Sequence, residues 1–268
     1  MVYLTLDIGG SGIKLVEYNE DKEIINFQKF EFLNQTGNRY FEFQELEKKV
    51  FLHIYSKYSV KSYPQIFVSN CGTFNQITYE VERWNNKYSL LKDLKAIGYE
   101  CCVLNDGLAH PQSLINSYFI EGPVLSITFG TGIGYAAFDK NLSVFTPCET
   151  DDIIRDHRVD DNMPDKDPHE LLGYEEMIRL WRRKKFDVWC RRFLRLMNSL
   201  FANIQPKTLM LFGGITQEDY EEGYKILNTK IIPLINQTYY FEKKGLKIMV
   251  GGKYSANEGV LNYFGDKN

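Results

Sequence analysis

The sequence predicts an α/β protein of two similar lobes around a central cleft, and three observations carry that expectation. Two glycine-rich turns, Asp7-Ile8-Gly9-Gly10-Ser11-Gly12-Ile13-Lys14 and Phe129-Gly130-Thr131-Gly132-Ile133-Gly134, each lie between runs rich in β-formers. Between them, Val103-Leu104-Asn105-Asp106-Gly107 closes a buried-looking strand on a carboxylate. The order of elements that follows the first turn returns after the second, although no sequence repeat is visible.

Taken in order, Val2 to Asp7, Ile13 to Tyr18 and Ile24 to Phe32 read as strands, with Asn19-Glu20-Asp21-Lys22 as a hairpin turn. Leu46, Val50, Phe51, Ile54 and Tyr58 recur at helical spacing. Gln65 to Ser69 reads as a short strand, Leu90 to Ile97 as a short helix and Cys101 to Leu104 as another strand. The second half gives strand Val124 to Phe129, a strand pair around Asp139-Lys140-Asn141, a long helix with Tyr174, Met177, Trp181, Trp189 and Phe193 on its faces, and strand Thr208 to Phe212. The expected lobes are residues 1–108, with the first turn and Asp106, and residues 109–268, with the second. A last helix over about 254–264 is placed to pack back on the first lobe. Glu149 to Pro168 interrupts the regularity: it holds eight acidic residues and three Lys or Arg, too long a stretch for an ordinary connection. It reads as a functional loop over the cleft or an insertion.

Composition narrows the function classes. With 268 residues, 44% hydrophobic and 15% aromatic, the chain is long and apolar enough for a folded core. A formal charge of -3 argues against a bulk nucleic-acid binder. No run reaches the length of a transmembrane helix, and Met1 leads almost directly into a strand, so a cytoplasmic protein without a signal peptide or membrane partner is expected. Cys71, Cys101, Cys102, Cys148 and Cys190 are odd in number and form no C-x-x-C pair, which points to reduced, structural thiols. No clustered ligand set for zinc is visible. His53, His110, His157 and His169 are scattered and read as surface or packed imidazoles. Arg182-Arg183-Lys184-Lys185 with Arg191-Arg192 reads as a solvated helix face, or else as a patch for a polyanion.

The turns carry the chemistry. Glycine lets backbone amides approach phosphate oxygens closely, and the hydroxyls of Ser11 and Thr131 add donors at the same point. Two such turns with an acid between them suit a chain that grips a phosphate chain from both sides, hence phosphoryl transfer. In the plainer alternative Asp7 and Asp106 only cap turns, and Gly213-Gly214 is only a tight strand-to-helix turn.

In this order the motifs resemble the sugar kinase, actin and Hsp70 superfamily, and within it the ROK family, whose enzymes include bacterial glucokinases. The likeness runs over most of the chain and implies the two-lobed actin-like ATPase fold, which is ribonuclease H-like. Asp7, Gly9, Gly10, Ser11, Gly12 and Lys14 look like the first phosphate loop, and Gly130, Thr131, Gly132 and Gly134 like the second. Asn105-Asp106 matches the pair in which the aspartate is the catalytic base and the asparagine contacts the sugar. Ile204-Gln205-Pro206 through Gly213-Gly214-Ile215 resembles the helix, strand and glycine turn beside the adenosine. Asn257, Glu258 and Gly259 fall in the closing helix. The resemblance implies magnesium held by Asp7, directly or through water, and ATP or polyphosphate as donor. It also implies Asn85 and Glu149 at the sugar and allows a homodimer; with a formal charge of -3, no nucleic-acid partner is expected. Lys14 either adds positive charge there or faces solvent.

The chain also departs from that family. Where ROK kinases carry Glu-x-Gly-His, this sequence has Glu149-Thr150-Asp151-Asp152, and the cysteine-rich zinc motif that follows in many members is absent. In this it is similar to the zinc-free branch that includes polyphosphate glucokinases. The resulting expectation is a kinase of a small hydroxylated substrate, most simply a hexose. A pantothenate kinase of the same fold and a non-catalytic sugar- or nucleotide-sensing ROK-like protein are the alternatives.

Overall fold

The structure, a computed structural model, describes residues 2–10, 12–31, 39–83, 86–130, 132–145, 171–239 and 245–265. The chain divides into two compact units, Met1–Ser113 with Ala256–Asn268, and Leu114–Ser255.

The first unit is built on β1 (Tyr3–Ile8), β2 (Gly12–Tyr18), β3 (Ile24–Glu31), α1 (Arg39–Lys57) and β4 (Gln65–Asn70). A small meander follows, β5 (Thr73–Asn75), β6 (Glu80–Arg83) and β7 (Asn86–Tyr88), then α2 (Leu90–Ala96), β8 (Glu100–Asn105) and α3 (Asp106–Ile115). The main sheet runs β3-β2-β1-β4-β8. Its first three strands are antiparallel, while β1, β4 and β8 are parallel. Side chains alternate across a strand, and that alternation sorts the sheet into two faces. Leu4, Leu6 and Ile8 of β1, with Ile13, Leu15 and Val68, join Leu46, Val50 and Ile54 of α1 in one apolar core.

Thr5 and Asp7 point the other way. On that face, Asn257 in the last helix donates from Nδ2 to Thr5 Oγ1 at 2.9 Å, and Thr5 donates to the Val16 carbonyl at 3.2 Å. Phe264 of the same helix stacks over Phe67, with ring centroids 6.1 Å apart. The helix lies against α3 so closely that a Cβ on Gly259 would stand 1.7 Å from the Ala109 carbonyl oxygen. Only glycine permits that approach.

The second unit holds β9 (Val124–Phe129), β10 (Ile133–Phe138), β11 (Val144–Phe145), α4 (Tyr174–Arg182), α5 (Phe186–Ile204) and β12 (Thr208–Gly213). After a short 3-10 turn come α6 (Glu221–Ile226), a π-helical turn (Leu227–Ile231), α7 (Ile232–Tyr239) and β13 (Lys247–Val250); α8 (Ser255–Gly265) then belongs with the first unit apart from its opening residue. The sheet order is β11-β10-β9-β12-β13. Here too an antiparallel trio leads into parallel strands β9, β12 and β13. The two main sheets therefore repeat one topology without a visible sequence repeat. Leu125, Ile127 and Phe129 pack with Trp189, Phe193, Met197 and Leu200 in the second core. Trp189 stacks on Phe193 at 4.9 Å and donates from its indole to the Leu172 carbonyl at 3.3 Å.

Two expectations change. The single long helix is two helices, α4 and α5, with Lys184 at φ 56° in the turn between them. The apolar spacing shows why: Trp181 and Phe186 are five residues apart, which breaks the three-and-four repeat of one helical stripe. The basic run is exposed as a solvated face at Arg182, Arg183, Lys184, Lys185 and Arg191, and departs from that reading at Arg192. Arg182 pairs with Glu222 at 2.6 Å and Arg191 with Asp187 at 2.9 Å. Arg192 is buried and reaches Glu176 at 3.2 Å. The meander and β13 had no counterpart in the sequence reading. Among the described residues, Cys71, Cys101, Cys102 and Cys190 form no disulfide with one another. Among the described residues no helix is long and apolar enough to cross a membrane.

Candidate phosphate and substrate site

In the first unit the parallel strands β1, β4 and β8 end side by side, and the candidate residues gather at those ends. The register sets Asp7 beside Ser69, Ile8 beside Asn70, and Asn70 beside Asn105. Helix α3 starts on the next residue, Asp106. Ligands of open α/β sheets bind outside the carboxyl ends of parallel strands, because loops and helix starts leave backbone donors there.

The first turn closes on a hydrogen bond from the Gly9 N–H to the Gly12 carbonyl, 2.9 Å. Gly12 then enters β2 against β3, where a Cβ would meet the Phe30 carbonyl oxygen at 2.4 Å. Across the turn Lys14 faces Asp7, with Nζ 3.4 Å from the carboxylate. Lys14 is thus not a solvent-facing strand residue but the partner of a buried acid. Asp106 sits at the start of α3, where the Gly107 N–H donates to Asp106 Oδ1 at 2.8 Å and to Asn105 Oδ1 at 3.0 Å. This fork orients both side chains at the helix N-terminus.

One turn further along α3 is His110, which the sequence reading left as a surface or packed imidazole and which the structure buries. It is 9% exposed. Burial pulls its imidazole down to about 4; Asp7 opposes that shift and Lys14 adds to it. The ring is therefore neutral at physiological pH and sits in the field of the Asp7–Lys14 pair. Its i+4 spacing from Asp106 was the available signal.

In the second unit the Gly130 N–H donates to the Gly132 carbonyl at 2.9 Å, and the Gly130 carbonyl accepts from the Tyr174 N–H at the start of α4, also 2.9 Å. The glycine turn is thus tied to a helix start. Gly213 ends β12 at φ 100°, and its carbonyl accepts from the Thr216 hydroxyl at 2.9 Å. Gly214 opens the 3-10 turn that follows. The structure adds Gly251 at the end of β13, where a Cβ would lie 2.1 Å from the Phe212 ring. The Gly251-Gly252 pair was the overlooked sequence signal for this third strand end.

Ser11, Asn85, Thr131 and Glu149 lie outside the described residues, as do Asp151, Asp152 and the rest of the 149–168 stretch. Among the described residues no group of three or more His, Cys, Asp and Glu side chains is arranged for a metal ion. Asp7 offers one hard oxygen donor. That suits magnesium, which keeps several waters and needs few protein carboxylates.

No family sequence model and no curated protein sequence matches the chain. Its fold does match solved structures. An inorganic polyphosphate/ATP-glucomannokinase from Arthrobacter sp. strain KM superposes with a TM-score of 0.67 at 17% identity, over 100% of this chain and 99% of that one. A ROK family glucokinase from Streptomyces griseus, solved with glucose and AMPPNP, gives 0.54 at 13% identity over 98% and 99%. A ROK family transcriptional regulator, a homologue of the E. coli MLC protein, gives 0.60 at 13% identity, over 98% of this chain but 78% of its own. These likenesses cover the whole length of the chain at identities where only the fold speaks. The chain has the two-domain, actin-like α/β fold of the ROK sugar kinase structures.

Proposed function

We propose that this protein is a ROK-type sugar kinase, transferring a phosphoryl group from ATP or polyphosphate to a hydroxyl of a hexose. The observation that carries the reading is the register that sets Asp7 and Asn105 at the carboxyl ends of the parallel strands β1 and β8, with β4 between them and Asp106 the next residue after Asn105. The fold around them is one whose solved examples include a polyphosphate/ATP-glucomannokinase and a glucose-bound glucokinase.

A sugar hydroxyl is a poor nucleophile until a positioned carboxylate accepts its proton, a contribution of roughly 10²–10⁴ in rate. On this reading Asp106, oriented by the Gly107 N–H, accepts that proton while Asn105 holds the sugar. Asn85 and Glu149 complete the sugar contacts by resemblance to the family. Asp7 holds magnesium, which when bound neutralises charge on the donor phosphates. The turn from Gly9 to Gly12 and the turn from Gly130 to Gly134, with Ser11 and Thr131, steady those phosphates through backbone and hydroxyl donors. Lys14 balances the Asp7 carboxylate, and Gly213-Gly214 admits the adenosine end. The protein then works in the cytoplasm on small molecules.

The test is phosphate transfer to a panel of hexoses, amino sugars and pantothenate, with ATP-Mg and polyphosphate as separate donors. Turnover on a hexose that falls by 10² or more in Asp106→Asn, with donor binding retained, is the expected result. Equal rates for the two proteins refute the assignment of the base. Transfer to pantothenate alone would move the acceptor to a different class. The similarity to a ROK transcriptional regulator supports a second reading, a sensor that binds sugar or nucleotide without turnover. Binding without transfer across the whole panel would favour it.

A further inference from the structure

We infer that Thr128 is a further phosphate-contacting residue, whose buried hydroxyl is left unpaired by the fold so that it can meet a phosphoryl oxygen of the donor. This deepens the kinase reading above and rests on it.

The first observation is the repeat of topology. In β1 the order is Leu6-Asp7-Ile8-Gly9, and the Gly9 N–H closes the turn onto Gly12. In β9 the order is Ile127-Thr128-Phe129-Gly130, and the Gly130 N–H closes the turn onto Gly132. Leu6 and Ile8 face the apolar core of their unit, as Ile127 and Phe129 do in theirs. Thr128 therefore stands in the second sheet where Asp7 stands in the first, on the face turned away from the core, two residues before the glycine that shapes the turn.

The second observation is an unmet hydrogen bond. Thr128 is 9% exposed, and its Oγ1 is buried with no hydrogen-bond partner among the described residues. A buried hydroxyl without a partner loses its hydration for no return, so proteins rarely keep one without a use. A valine of nearly the same shape would remove that cost. The deeper Ser126 is also unpaired but only 1% exposed, which leaves no path for a ligand. Its counterpart Thr5 is satisfied by Asn257 and Val16.

The third is space. The residue opposite Thr128 on β10 is Gly134, where Asp7 has Lys14. Among the described residues, a Cβ built on Gly134 would find nothing nearer than the Thr128 Cβ at 3.9 Å. The strand pair is thus open beside the threonine, and the backbone donors of the Gly130 turn come from the same side of the sequence. Phosphate oxygens accept from hydroxyl and amide donors alike, and a bond to a charged acceptor is stronger than a neutral one. A nucleoside triphosphate and polyphosphate share this chemistry.

The experiment compares wild type, Thr128→Val and Thr128→Ser in binding of AMPPNP-Mg, polyphosphate and adenosine by calorimetry, alongside thermal unfolding. The expected result is that Thr128→Val weakens AMPPNP-Mg or polyphosphate roughly tenfold or more. Adenosine affinity stays unchanged, and the melting temperature equals or exceeds that of wild type. Thr128→Ser restores phosphate binding. The phosphate compound that loses affinity identifies the donor. A Thr128→Val protein that binds both phosphate compounds as wild type does overturns the inference and leaves the kinase reading standing. Parallel loss of adenosine affinity and stability overturns it too, as a packing effect. A wild-type protein that binds neither phosphate compound removes the kinase reading and this inference together.

Discussion

Gly213 lies against Phe129 so tightly that a Cβ on it would stand 2.1 Å from the Phe129 carbonyl oxygen, where two parallel strands end together. The backbone of Gly213 is also in the left-handed region, at φ 100°. Both facts act on the turn that carries Gly214 and on the strand end that carries Gly130.

Gly213→Ala therefore forces β12 and β9 apart at the candidate nucleotide site and adds backbone strain. The expected cost is about 2–4 kcal/mol, since positive-φ strain and a steric clash act together. Urea unfolding measures it. Gly252→Ala is the control, because a Cβ there meets nothing within 4 Å and its φ is not in the left-handed region.

Arg192 and Glu176 form a buried contact of the basic run. Burial alone would raise the Glu176 carboxyl, but hydrogen bonds from Arg179 and Arg192 outweigh it and hold the group below its ordinary value. Glu176→Ala strands the buried guanidinium and should cost about 3–5 kcal/mol. Asp187→Ala, which removes only the exposed partner of Arg191, should cost about 0.5 kcal/mol or less. Chemical denaturation of both variants distinguishes a buried pair from a surface one.

His110 sets an acid limit on stability. Its pKa of about 4 in the folded chain lies below the 6.5 of an unperturbed histidine. As pH falls below 6.5 the unfolded chain takes up a proton that the folded chain refuses. Stability is complete above that value and declines between 6.5 and 4, by about 3 kcal/mol at most. His110→Gln should flatten this decline in metal-free buffer. Denaturant midpoints from pH 4 to 8 provide the measurement, and curves of equal slope for the two proteins would rule the histidine out.

Glu47 has the opposite sign. Burial pushes its carboxyl up to about 7, against the pull of the Leu90 and Ser89 N–H groups, while Asp93 pushes it further up. Leu90 N–H donates to Glu47 Oε1 at 3.1 Å, so the side chain of α1 caps the start of α2. The unfolded carboxyl ionises near 4.5 and the folded one near 7. Stability present below 4.5 is lost as pH rises to 7. Glu47→Gln keeps the acceptor and removes the ionisation, so it should stabilise the protein by about 3 kcal/mol at most at pH 8 and leave it unchanged at pH 4. Melting temperatures at the two pH values test this.

Most of the sheet architecture could be read from the chain because its signals are local. Alternating or continuous apolar runs mark β1, β2, β4, β9 and β12, and glycine turns punctuate them. The Asn105-Asp106 pair at a strand end was legible for the same reason. The broken helix was also written in the spacing of Trp181 and Phe186, but only the packed structure gave that five-residue step its meaning.

What the sequence by itself determined is most strands of the two main sheets, the glycine turns between them and the order of the motifs. Those follow from side-chain period and from the backbone freedom of glycine, which act within a few residues. Tertiary structure alone decided that Lys14 faces Asp7, that Arg192 is buried on Glu176, that His110 is neutral and that the Thr128 hydroxyl has no partner among the described residues. Each of these is a matter of burial and of neighbours brought together across strands or between helices. Desolvation and pairing have no magnitude until the chain has folded around the group.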